Sequence, residues 1–87
     1  MTFKVERLAG KRRTVVLRLC GHIAAEHVGT IEELVGRESD RVALDLSEIT
    51  LVERDVVRCL ARYVLRGVEL RNCPPFIQEW VDKENSL

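Results

Sequence analysis

Eighty-seven residues, 46% hydrophobic and 32% charged, make one compact domain over 1–87, too small for a separate substrate domain or a large catalytic cleft. Fourteen basic side chains balance fourteen acidic ones, which excludes a global field drawing the chain to nucleic acid or to an anionic membrane. Any electrostatic function must be local.

In chain order, the opening MTFKVERLAGKRR lacks the apolar stretch of a secretory signal. No apolar run approaches the roughly 18 residues of a membrane span. A cytoplasmic location without membrane insertion is the expectation. TFKVERL alternates weakly, AGKRR reads as a turn, and TVVLRLCGHI is rich in β-branched residues, so a hairpin is predicted. Lys11, Arg12 and Arg13 then sit at its tip, with no aromatic residue among them to mark a nucleic-acid surface.

After Gly21 the apolar residues Ala24, Val28, Ile31, Leu34 and Val35 recur at helical spacing, with Gly36 near the stop. RVALDLSEI reads as a central strand, because its apolar residues do not alternate cleanly with polar ones. Val56, Val57, Leu60, Ala61, Val64 and Leu65 predict the apolar stripe of a second helix, closed by Gly67. VELRNC predicts a further strand. The Pro-Pro pair opens a last helix with Phe76, Ile77, Trp80 and Val81 facing inward, leaving a loosely held tail from about residue 83. The order is ββαβαβα. Right-handed crossovers make the last three strands parallel and set the first antiparallel beside the second, a four-stranded mixed α/β sheet.

Cys20, Cys59 and Cys73 are odd in number and lack close pairing, which argues against a disulfide framework and against a cysteine-only metal site. Cys20 and His22 on one strand face, with His27 nearby, form the best metal constellation, but no fourth ligand has suitable spacing. No metal and no cofactor is expected. Phosphate loops, zincin motifs and Ser-His-acid sets are absent from the sequence, and a Cys20–His22 thiolate pair is the weak remaining enzymatic reading. The domain is therefore read as non-catalytic.

The stretch VALDLSEITLVERDVVRCLARY followed by GVELRNC resembles the core of STAS domains, the fold of bacterial anti-sigma factor antagonists and of the cytosolic tails of sulfate transporters. Leu44, Asp45, Leu46 and Ser47 match the strand motif, and the resemblance covers nearly the whole chain. RNCPPFIQEWV is similar to a segment of short stand-alone STAS-like proteins. The resemblance implies a SpoIIAA-type fold and a protein-binding role, as in anti-sigma factor antagonists. The implied partner is a kinase-like anti-sigma factor or, alternatively, the ATPase of an ABC lipid-type transporter to which the domain is a small subunit.

In that pattern a Ser or Thr at the mouth of the second helix is phosphorylated, and the added charge repels the partner. Laid on the motif, Glu53 takes the family's Asp, Arg54 the first Ser, Asp55 the phosphorylatable hydroxyl and Val56 the Gly. The hydroxyl is missing, so serine switching is not carried over. Glu53, Arg54 and Asp55 become a candidate partner-binding mouth, with Asp55 either a helix-dipole acid or a fixed substitute for phosphoserine charge. Arg58 and Arg62, members of a slanting stripe from Arg54 to Arg66, form the second candidate surface, and Asp55 is in reach of Arg58. STAS domains commonly continue with another strand and helix. VELRNC is therefore a candidate open sheet edge, which motivates a homodimer.

Overall fold

The computed structural model describes residues 3–86. Strands β1 (Phe3–Ala9) and β2 (Thr14–Ile23) form the predicted hairpin. A 3-10 turn at Ala25–His27 then leads into helix α1 (Val28–Gly36). Strand β3 (Arg41–Val52), helix α2 (Arg54–Leu65), strand β4 (Glu69–Arg71) and helix α3 (Pro75–Asn85) complete the ββαβαβα order. The hairpin tip is built from the basic cluster itself, since Arg12 and Arg13 hold left-handed φ values of 58° and 56°. Gly10 is required there because a Cβ would lie 2.7 Å from the Thr14 carbonyl oxygen.

The sheet order is β1-β2-β3-β4, with β1 antiparallel to β2 and the β2–β3 and β3–β4 pairs parallel. The helices on the two parallel connections return the chain to the start of the next strand. One sheet face is apolar: Val15, Leu17 and Leu19 of β2 and Leu44 and Leu46 of β3 share a core with Ile31, Val57, Leu60, Ile77 and Val81 of the helices. The other face carries an ionic row across the strands, in which register sets Glu6 opposite Arg18, Arg18 opposite Asp45, and Asp45 opposite Arg71. Arg18 lies 3.3 Å from Glu6 and 3.4 Å from Asp45. β3 is central, as its composition predicts, and its polar face is screened by long charged side chains in place of a helix layer.

Four expectations change in detail. Strand β4 spans three residues of the VELRNC stretch. In α2, Val64 is 37% and Leu65 73% exposed, while Tyr63 is 5% exposed and takes the last core position. At about 100° per residue, seven residues beyond Val56 return to within about 20° of it, eight overshoot by about 80°, and nine reach the opposite side. In α3, Ile77 and Val81 are buried and Trp80 half-buried, but Phe76, about 100° from Ile77 around the helix, is 51% exposed. Lys83–Asn85, placed in a loose tail by the sequence reading, belong to α3, and the Asn85 amide donates to the Ala61 carbonyl at 3.3 Å. Among the described residues no helix is long and apolar enough to cross a membrane.

Candidate functional site

One residue separates β3 from α2. Glu53 keeps extended backbone (φ −92°, ψ 161°), and its N–H still pairs with the sheet, donating to the Ile23 carbonyl at 3.1 Å. Its own carbonyl already accepts the N–H groups of Val56 and Val57 at 3.0 and 3.2 Å. The abrupt turn from strand to helix follows from that double duty, and it leaves the first N–H groups of α2 without a side-chain cap.

The Glu53 carboxylate turns away from its own helix. Oε1 accepts the Ala25 N–H at 2.8 Å, holding the start of the 3-10 turn, and Oε2 lies 3.6 Å from His22 Nε2. That His22 nitrogen is buried with no hydrogen-bond partner among the described residues. Next to it, the Ala24 N–H donates to His27 Nδ1 at 2.9 Å, and the His27 ring stacks on Phe3 with centroids 4.1 Å apart. The mouth therefore has an inner layer, Glu53 with the two histidines, that ties the β2 exit to the α2 start.

Its outer layer is Arg54 and Asp55. Both are exposed, and neither forms an ion pair or side-chain hydrogen bond among the described residues. The expected Asp55–Arg58 pair is not formed: Arg58 Nε lies 3.8 Å from Glu84 of α3, and Arg62 lies 3.4 Å from Glu32 of α1. Neighbouring helices thus supply acids that interrupt the basic stripe. Asp55, Arg58 and Arg62 nevertheless line one shallow depression of about 350 Å³, floored by Ala25 and Val28. The two surfaces that the sequence offers separately meet there.

A second depression, of about 500 Å³, opens on the ionic face of the sheet beside Arg18, Asp45, Arg71 and Asn72. Sequence reading missed it; the alternation of charges at Glu6, Arg18, Asp45 and Arg71 was the available signal. Burial acts to raise the Asp45 pKa, but the backbone N–H of Ser47, 2.9 Å away, with Asn72 and Arg18, outweighs it and holds the carboxyl below its usual range.

The Cys20–His22 pair, the weak enzymatic alternative of the sequence, is not assembled. Gly21 between them has φ of +87°, and the β2–β3 register shifts on both sides of it, so strand alternation is broken. Cys20 Sγ lies 3.9 Å from Glu6 while His22 faces Glu53. Burial pushes the thiols of Cys20, Cys59 and Cys73 all up, away from the reactive thiolate. Among the described residues no three His, Cys, Asp or Glu side chains gather as a metal site.

No protein-family model matches the sequence, and no curated protein is similar to it in sequence. Solved structures are similar. The STAS domain of an antisigma-factor antagonist from Rhodobacter sphaeroides superposes with a TM-score of 0.60 at 28% identity, covering 79% of this chain and 83% of that one. The unphosphorylated anti-sigma factor antagonist SpoIIAA superposes with a TM-score of 0.64 at 18% identity, covering 90% of this chain and 79% of that one, a likeness of fold. With its four-stranded mixed sheet, its β3-to-α2 mouth and these neighbours, the chain is a STAS-like domain.

Proposed function

We propose that this domain is a non-catalytic regulatory module in the cytoplasm, binding a protein partner through the α2 mouth and the outer face of α2, as an anti-sigma factor antagonist does. The observation that carries the reading is the convergence of Asp55, Arg58 and Arg62 on one depression beside an uncapped helix start. The 28% identity to an antisigma-factor antagonist STAS domain supports it.

Asp55 occupies the place where the family resemblance puts a phosphorylatable hydroxyl. A carboxylate cannot accept phosphate by serine chemistry, so the module works without a serine switch, and Asp55 fixes one charge state of the mouth, which a partner meets with a basic group instead of being repelled by it. The partner contributes acids to Arg58 and Arg62, which are about half exposed and held only by long ion pairs at 3.8 and 3.4 Å. Glu53 acts from behind, fixing Ala25, which lines the depression. The raised thiol pKa values count against a thiol enzyme.

The test is affinity capture of the native protein from its own cell extract, beside Asp55→Ser and the double variant Arg58→Glu/Arg62→Glu. A kinase-like anti-sigma factor that binds wild type and is lost from either variant supports the proposal. An ABC transporter ATPase lost in the same way keeps the surface and changes the pathway. A partner retained by both variants overturns the site.

A further inference from the structure

Strand β1 is an open edge of the sheet, seven residues long, whereas the opposite edge, β4, has only three. The edge suited to a homodimer is therefore β1 and not the VELRNC strand, because a long edge offers more unpaired N–H and C=O groups. Which groups those are follows from the hairpin. The Gly10 N–H donates to the Thr14 carbonyl at 2.8 Å, and this pair continues the β1–β2 register. Hydrogen-bonded and non-bonded pairs alternate in an antiparallel ladder, so Leu8, Glu6 and Lys4 bond inward to β2. Phe3, Val5, Arg7 and Ala9 point their backbone groups outward.

We infer that this edge pairs antiparallel with the same edge of a second copy about a two-fold axis at Val5, joining two four-stranded sheets into one with all helices on one side. Charge selects the register. A two-fold at Lys4, Glu6 or Arg7 would set each of those residues against its own copy, like charge on like. A two-fold at Val5 pairs Val5 with Val5, sets Phe3 opposite Arg7, and sets Lys4 of each copy opposite Glu6 of the other. Those last pairs are non-hydrogen-bonded ones, in which side chains approach most closely. Lys4 is 65% and Glu6 34% exposed at the side chain, and they already meet within the chain at 3.3 Å, so both charges are in place at the edge. This dimer does not depend on the α2 mouth and stands or falls apart from the partner proposal.

Sedimentation equilibrium at submillimolar concentration tests it. Wild type is expected at twice the 10.0 kDa chain mass. Val5→Pro removes an outward N–H and no bond to β2, so it is expected at the chain mass with unchanged far-UV circular dichroism. Lys4→Glu and Glu6→Lys each create two like-charge pairs and are expected to be monomeric alone. Mixed in equal amounts they are expected to restore the double mass, since every cross-strand pair in the heterodimer is then opposite in sign. A monomeric wild type overturns the proposal, as does a dimer that survives Val5→Pro or a mixture that stays monomeric while wild type dimerises.

Discussion

Glu53 and Ala25 are 28 residues apart in sequence, yet the Glu53 carboxylate accepts the Ala25 backbone N–H at 2.8 Å. The residue at the N-terminus of α2 thus anchors the start of the 3-10 turn that precedes α1. Glu53→Ala is expected to destabilise the domain by about 1 kcal/mol, because a charge-assisted bond is lost from a half-exposed site. Glu53→Gln keeps an acceptor and is expected to cost less. Urea unfolding of the three proteins checks the order; equal midpoints would show that the bond contributes nothing.

Asp45 makes the ionic face sensitive to acid. Its carboxyl is held below the ordinary value of 3.8, so the folded state binds its proton less readily than the unfolded chain. Its stabilisation is present above the unfolded pKa and lost as pH falls through the folded one. Glu38, held down by Arg7, and Glu6, held down chiefly by Lys4, act in the same direction. Asp45→Asn is expected to cost about 1–2 kcal/mol at neutral pH and to flatten the loss of stability below about pH 4. Thermal unfolding from pH 7 to pH 2 checks both. A variant with the wild-type acid slope would assign the slope to other carboxyls.

Tyr63 is the single tyrosine, and burial raises its hydroxyl to about 12. An ultraviolet titration of the folded protein is expected to show tyrosinate forming near that value. Because the unfolded chain ionises near the ordinary value of 10, stability is expected to fall as pH rises above it. Tyrosinate appearing near pH 10 with the fold intact would mean that the ring is reached by water.

The α2 stripe distinguishes core from surface within about a turn and a half. Leu60 is fully buried and Leu65 is 73% exposed. Leu60→Ala is expected to cost about 3 kcal/mol through lost transfer energy and a residual cavity, and Leu65→Ala less than about 0.5 kcal/mol. Comparable losses in chemical denaturation would show that α2 is rotated from the orientation described.

Asp55→Ser is expected to change stability by less than about 1 kcal/mol, the scale of a helix-dipole interaction at an exposed first turn. Any loss of partner binding in that variant then reports on the surface. A large drop in melting temperature would instead give Asp55 a structural role.

Periodicity and punctuation alone determined the order of elements, the hairpin, the parallel crossovers and the acidic strand-to-helix mouth, because the apolar faces of Leu44–Leu46 and Val56–Leu60 are local properties of their elements. The resemblance carried by LDLS named the fold. Tertiary structure alone decided where the charges go. Arg62 meets Glu32, 30 residues away, and Arg58 meets Glu84 on α3 instead of Asp55 on its own helix. Glu53 turns inward while Asp55 stays in solvent, and Tyr63 displaces Val64 from the core. A sequence pattern records which side of an element is apolar, but an ion pair or a capping bond needs polar atoms of two elements brought within about 3–4 Å of each other. That placement is set by how the helices settle on the sheet.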